Sequence, residues 1–350
     1  MELLDRSTYY RAFQSHDARF DGRVFVGVTS TGIYCRPVCP ARTPRFENCR
    51  FFASAAAAQE AGFRPCLRCR PEIAPDFASW RGSANTVSRA LALIADGALD
   101  EDEAGVEALA ERLGVGGRQL RRLFQRHLGA SPIAVAQTRR VLFAKQLLHD
   151  TRLPMAEVAL ASGFGSVRRF NETFRKLFDR PPSALRRRSG ADTSARDGVT
   201  LRLAYRPPYD WPGMLAALSS REPSGHEWIE ASVWHRRLDL DGATGCVSVA
   251  HLPDRNAVAV TIRFPSVKAL PAIVARVRRV FDLGADISTI DSHLARDPAL
   301  APLIARRPGL RAPGDWDVEG MEMPLDGTAP PAWRPWHAYA VEHLRMARYA

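Results

Sequence analysis

A chain of 350 residues with 49 Lys and Arg against 38 Asp and Glu carries a formal net charge of +11, which points to an acidic partner. Its 46% hydrophobic and 25% charged composition is ordinary for a globular protein, and the length suits two or three domains with real cores. No stretch approaches the ~20 apolar residues needed to span a bilayer, and Met1-Glu2-Leu3-Leu4-Asp5-Arg6 lacks the apolar run of a secretory leader. The expectation is a soluble, cytoplasmic protein with no membrane partner.

In chain order, residues 1–80 read as a small mixed α/β unit. Phe25 and Val26 sit in an alternating, β-branched run, and Arg50-Phe51-Phe52 reads as a further strand. Residues 54–62 form a short alanine-rich helix with a serine cap and a glycine stop. Among these elements stand Cys35 and Cys39, spaced C-x3-C, and Cys66 and Cys69, spaced C-x2-C, with 26 residues between the pairs. Such paired thiols are the pattern of a four-thiolate zinc site, because zinc takes four soft ligands in a tetrahedron at ~2.3 Å. Iron is the weaker fit, and six cysteines of which four lie in knuckles suit a reducing compartment rather than a disulfide framework. Spacing alone leaves open whether the site is structural or reactive. Arg36, Arg42, Arg45, Arg64, Arg68 and Arg70 crowd the knuckles. They could screen the site's negative charge and grip phosphate in bidentate geometry, or form a solvated basic face. Cys49 falls outside the knuckles and is expected to be a small buried hydrophobe. Pro71, Pro75 and the polar residues 79–85 mark a boundary.

The run FDGRVFVGVTSTGIYCRPVCPARTPRFENCRFF, followed by AAAAQEAGFRPCLRCRPE, resembles the N-terminal domain of the bacterial Ada adaptive-response proteins, with all four cysteines in place. The resemblance implies a zinc-bound domain in which Cys35, the first of the set, takes a methyl group irreversibly from a methylated DNA phosphate. Cys39, Cys66 and Cys69 would then be the remaining ligands. Thr31, Arg42, Arg64 and Arg68 are the candidates for DNA contact around this centre.

Residues 86–188 read as helical throughout. They hold most of the charge: between residues 112 and 188 there are 17 Arg or Lys and 4 Asp or Glu, a balance of +13 that leaves −2 for the rest. A first helix opens at Val87. Residues 106–115 have the shape of the first half of a helix-turn-helix, with small Ala110 at the crossing and Gly114 at the turn. Residues 117–124 follow as its recognition helix, exposing Arg118, Gln119, Arg121 and Arg122 over Leu120, Leu123 and Phe124. The pattern repeats at 155–163 and 166–178, where Ser166, Val167, Arg168, Arg169 and Asn171 face outward over Phe170, Phe174 and Leu177. A long helix over 133–149 joins the two units. The string FGSVRRFNETFRKLFDRPPSALRR, within this double unit, resembles the AraC-type regulators. Gly116-Gly117 departs from the pattern, standing where a Ser, Thr or Asp cap would open the first recognition helix, at a cost of ~0.5 kcal/mol or less.

After a polar linker at 189–199 the pattern changes to strands over 201–205, 232–240, 246–251 and 257–264, then an amphipathic helix over 266–281 and another from Ile287. These elements make an antiparallel α+β domain over 200–314. RPPYDW, FDLGAD and RPGLRAPG resemble the N-terminal domain of AlkA-type 3-methyladenine DNA glycosylases. In that family RPGLRAPG leads into a helix-hairpin-helix domain with a catalytic aspartate. Here WRPWHAYAVEHL, similar to the family's last helix, follows within about twenty residues. Residues 315–350 therefore read as a remnant, with Asp315, Asp317 and Asp326 as loop carboxylates and Trp333, Trp336 and Tyr339 as docking hydrophobes. His235, His251 and His343 read as satisfied surface or core residues.

The expected fold is a multidomain α+β chain: a zinc-bound α/β domain, an all-α double helix-turn-helix domain and an antiparallel α+β domain. The expected function is a sensor of DNA methylation damage. It would methylate itself at Cys35 with Zn²⁺ as cofactor, gain affinity for promoter DNA and activate transcription through RNA polymerase in a bacterial nucleoid. The rival readings are a regulator whose zinc is purely structural and a glycosylase releasing alkylated purines.

Overall fold

The computed structural model describes residues 6–74, 85–95, 97–100, 105–186, 198–221, 225–317, 330–333 and 336–348. The predicted boundary at Pro75 and 79–84, the linker at 189–197 and Asp326 lie outside the described residues. Helix α1 (Arg6–Gln14) precedes a four-stranded sheet of order β3-β1-β2-β4, made by β1 (Phe25–Val28), β2 (Ile33–Cys35), β3 (Cys49–Phe52) and β4 (Arg64–Pro65). All four residues of β1 are buried, as a central strand packed on both faces requires. Gly27 has no side chain because a Cβ there would stand 2.7 Å from the Phe52 ring and 3.0 Å from that of Phe63. Helix α2 (Ala55–Glu60) starts and stops as its sequence indicates: Ser54 Oγ accepts from Ala57 N at 3.0 Å, and Gly62 takes φ +89°.

Helix α3 (Asn85–Ala95) leads into two helix-turn-helix units of the same build. In the first, α4 (Val106–Arg112) and α5 (Gly117–Leu128) meet at Gly114, φ +68°. In the second, α7 (Met155–Ala161) and α8 (Val167–Phe178) meet at Gly163, φ +76°. The connecting helix α6 (Pro132–Asp150) runs between them. Each second helix buries residues four apart, Leu120, Phe124 and Leu128 on α5 and Phe170, Phe174 and Phe178 on α8, so one stripe faces inward. The α8 rings lie 4.8 and 5.4 Å apart centre to centre.

The third region is a five-stranded antiparallel sheet of order β5-β9-β8-β7-β6, from β5 (Val199–Ala204), β6 (Glu227–Glu230), β7 (Val233–Leu240), β8 (Ala243–Leu252) and β9 (Ala257–Arg263). Helix α9 (Trp211–Ser219) lies between β5 and β6 in sequence, and α10 (Leu270–Val280), α11 (Ile287–Leu294) and α12 (Ala301–Arg306) follow the sheet. β6 is absent from the sequence reading: four residues beginning and ending in glutamate carry little strand signal, and pairing with β7 at the sheet edge supplies the rest. The helix expected over 266–281 begins as a 3-10 turn at Val267–Ala269 and becomes α-helical at Leu270, where Pro271 sits in a first turn that needs no N–H from it. Helix α13 (His337–Arg348), at the end of the supposed remnant, is an integral part of this region. Trp336, Tyr339 and Ala340 pack with Ile287, Ile290 and Ile304, Tyr339 donates to Asp282 at 2.7 Å, and Trp333 Nε1 donates to Asp297 at 2.6 Å.

The three regions share interfaces. One apolar cluster runs from Val141, Leu148, Val158 and Phe174 of the helical region to Leu201, Leu203, Val258 and Val260 of the sheet. The zinc-domain segment joins the helices through Glu72, which is buried and pairs with Lys145, with Arg70 at 2.9 Å and with His149. Arg70 continues to Asp150 at 2.8 Å. Burial alone would raise the Glu72 carboxyl, but Lys145, His149 and Arg70 together hold it well below the usual carboxylate range. A carboxylate depressed by folding contributes stability above its unfolded value of 4.5 and loses it as pH falls further. Glu72→Gln should therefore cost ~3–5 kcal/mol at neutral pH, because it leaves Lys145 buried without its counter-charge, and should flatten the acid limb of the stability profile. Denaturant unfolding of both proteins across pH checks this.

Candidate metal centre and nucleic-acid interface

Strand register brings the two knuckles together. β2 pairs antiparallel with β1 and parallel with β4, setting Tyr34 beside Pro65, and Cys66 N donates to Tyr34 O at 3.0 Å. Cys35, which ends β2, and Cys66, which follows β4, thus arrive side by side, and Cys39 and Cys69 return on the loops. The four Sγ atoms lie within 4.8 Å of one another and all four residues are buried. A tetrahedron with bonds of ~2.3 Å has edges of ~3.8 Å, so the cluster fits a zinc ion.

The donor set also demands a cation. Cys35, hydrogen-bonded to Cys39, Cys66 and Cys69, is pushed far above the ordinary thiol value, and burial does the same to Cys69. Cys66 and Cys39, accepting from Cys35, are pushed below it. Four thiolates this close cannot all ionise without a positive centre among them. Cys49, buried in the same apolar cluster, is not one of the four. Its thiol donates to Arg45 O at 3.4 Å, and burial raises it to about 11, as befits the small hydrophobe expected there.

Backbone N–H groups reach sulfurs of both knuckles. Arg36 N donates to Cys69 Sγ at 3.3 Å, Arg68 N to Cys66 Sγ at 3.4 Å, and the Ala41 backbone reaches Cys39.

The six arginines near the knuckles divide into two groups. Arg36 and Arg70 are buried and committed to internal carboxylates, Arg36 to Asp21 and Arg70 to Glu72 and Asp150, so the phosphate-gripping role considered for them is ruled out by burial. Arg42, Arg45 and Arg68 are exposed and Arg64 is half-buried on β4; none makes an ion pair among the described residues. Thr31 is exposed in the β1–β2 turn, where its hydroxyl meets Val28 O at 3.4 Å.

On α5, Arg118 is fully on the surface, Arg122 donates to Gln119 at 2.6 Å, and Arg121 pairs with Glu107 of α4 at 2.7 Å. The helix cap is Gly116, whose missing side chain leaves the first turn without a side-chain hydrogen bond, and Gly117 begins the helix beside the Glu107 carboxylate. On α8, Ser166 Oγ accepts from Arg169 N at 3.1 Å as the helix cap, Arg168 pairs with Glu172 at 2.8 Å, and Arg169 is exposed. Asp21, Lys145, Glu72 and Arg206 were not singled out in sequence. A lysine inside the apolar run Leu142-Phe143-Ala144-Lys145-Gln146-Leu147-Leu148 is the one signal that could have been read.

Three family models match the chain in series: the metal binding domain of Ada at residues 8–72, a helix-turn-helix domain at 109–188 and the AlkA N-terminal domain at 200–317. The chain thus carries segments matching the Ada metal-binding domain and the N-terminal domain of AlkA. Among its relatives, the probable bifunctional transcriptional activator/DNA repair enzyme AlkA of Mycobacterium tuberculosis is 42% identical over 308 residues, which is 87% of this chain and 61% of that protein. The bifunctional transcriptional activator/DNA repair enzyme AdaA of Bacillus subtilis is 29% identical over 51% of this chain and 82% of its own length. Ada of Escherichia coli, similarly described, is 35% identical over 37% of this chain and 34% of its own. The chain thus spans about three-fifths of the mycobacterial relative. The four-cysteine cluster in an Ada metal-binding domain makes Zn²⁺ the cofactor. No described helix is long and apolar enough to cross a membrane.

Purified chain should hold one zinc. Cys39→Ala or Cys66→Ala should lower zinc affinity by more than ~100-fold, whereas Cys49→Ala should leave it intact. Metal analysis of the three variants after dialysis against chelator separates ligand from bystander.

Proposed function

We propose that the chain senses methylated DNA backbone by taking a methyl group onto Cys35 and then binds promoter DNA more tightly through its two helix-turn-helix units. The observation that carries this reading is the four-cysteine cluster itself, in the segment that matches the metal binding domain of Ada, with Cys35 at the end of β2. Zinc, when bound, keeps the sulfurs deprotonated at neutral pH while leaving the four-thiolate set with net negative charge. The Cys35 sulfur lone pair forms the new S–C bond to the methyl carbon of a methylphosphotriester as the C–O bond breaks. The electron pair stays on the phosphate oxygen, which leaves as a phosphodiester anion, so no proton or oxidant is required. A thioether cannot return the methyl, and the protein is consumed. Arg42, Arg64 and Arg68 serve to hold the DNA backbone, their side chains being outside any internal ion pair among the described residues.

The charge change supplies the switch. The site loses one negative charge, and relief of repulsion toward a phosphate ~8 Å away in an effective dielectric of ~40–80 amounts to about 0.5–1 kcal/mol. Two or three such phosphates give ~1–3 kcal/mol, or a ~5–150-fold gain in affinity. Arg118, Gln119, Arg121 and Arg122 of α5 and Ser166, Arg168 and Arg169 of α8 are the residues we assign to promoter contact. RNA polymerase is the partner that an activator of this kind would recruit. Glycosylase chemistry finds no support in Asp315 or Asp317, which lie exposed beside Arg221 and Arg276 at 3.5 and 3.7 Å.

Zinc-loaded protein incubated with duplex bearing a methylphosphotriester should gain one methyl, mapped by peptide mass spectrometry to Cys35. A metallated protein that gains none is instead a regulator with structural zinc. Arg118→Ala and Arg168→Ala should each weaken duplex binding and reduce the salt slope by ~1, read from fluorescence anisotropy titrations at several salt concentrations.

A further inference from the structure

The Cys66-Cys69 knuckle is held at two points, one of them from outside the zinc domain. Lys145 Nζ, from helix α6, donates to Cys66 O at 2.9 Å. Arg36 donates Nη1 to Cys69 O at 2.9 Å, while its backbone N–H reaches Cys69 Sγ. The Arg36 guanidinium is fixed in turn by Asp21, whose Oδ1 accepts Nε at 2.7 Å, with both side chains about 7% exposed. The next link crosses to the AlkA-type domain. Arg206, 3% exposed, donates Nε to Asp21 O at 2.8 Å and Nη1 to Gly284 O at 2.6 Å and Ala285 O at 3.3 Å. A guanidinium has five N–H donors in a rigid fork, so one side chain can span carbonyls from two domains and fix their separation. Beside it Arg23 pairs with Asp286 at 2.7 Å, joining the same two domains without touching Asp21 or the knuckle.

We infer that Arg206 is a positioning residue for the zinc centre: through Asp21 and Arg36 the AlkA-type domain sets the geometry of the knuckle that carries Cys69. The domain then has a task that requires no glycosylase chemistry, because its packing against the N-terminal region is part of what holds a metal ligand in place. Groups that orient metal ligands without touching the metal typically change affinity or activity 10–100-fold when removed. Any consequence for methyl transfer rests on the function proposed above, but the inference itself concerns the metal.

The test uses the full zinc-loaded chain and a chromophoric chelator in excess. Arg206→Ala should release zinc about tenfold faster than wild type, and its cobalt-substituted form should show a shifted thiolate-to-metal absorption band. Arg23→Ala, which removes the neighbouring pair alone, should release zinc at the wild-type rate with an unshifted band. Arg206→Lys keeps a cation but cannot span the three carbonyls, and should fall between wild type and Arg206→Ala. Equal release from Arg206→Ala and wild type overturns the inference. So does equal acceleration by Arg23→Ala, since the contact would then be general adhesion between domains. Should Arg206→Ala fail to fold, Arg206→Lys carries the test: faster release with a shifted band supports the positioning role, and wild-type behaviour overturns it. Because the readout is zinc, a failure of methyl transfer and a failure of this inference are separable.

Discussion

Four cysteine sulfurs confined within a few ångströms cannot all be thiolates unless a divalent cation sits among them. That constraint explains why so small a sheet suffices. β4 contributes two residues and β2 three, and such strands bury too little to hold a register alone. A bound metal would fasten their ends, where Phe13 and Val26 share an apolar cluster with the cysteines.

Around that centre the charged residues sort by burial. Asp21, Glu72, Arg36, Arg70 and Lys145 are all withdrawn from water and paired, where a lost partner costs far more than at the surface. Arg42, Arg45, Arg64 and Arg68, which make no ion pair among the described residues, are able to meet an anion without first breaking such a pair. The same sorting holds on the recognition helices, where α5 and α8 keep cations outward over stripes of Leu and Phe.

The AlkA-type domain joins this arrangement as a packed partner. Its sheet shares an apolar cluster with the second helix-turn-helix unit, and its Gln146 contact from α6 to Arg202 O at 3.0 Å ties β5 to the helix between the two units. Helix α13 packs with α11 and α12 in one apolar cluster.

Elements whose information is local were legible without coordinates. The knuckle spacings, the Phe170-Phe174-Phe178 stripe, the glycine turns at Gly114 and Gly163 and the strands β5, β7, β8 and β9 all depend on residues within a few positions of each other, and a periodicity or a cap signals them. The short edge strand β6 escaped because its pairing with β7 carries more of its stability than its own residues do. The tertiary structure alone decided which arginines are structural and which are exposed, and that the domains are joined. Glu72 meets Lys145 across 73 residues and the Asp21 carbonyl accepts from Arg206 across 185, and a polar group in a sequence carries no mark of where its partner lies. Burial chooses the partner, and burial exists only once the chain has packed.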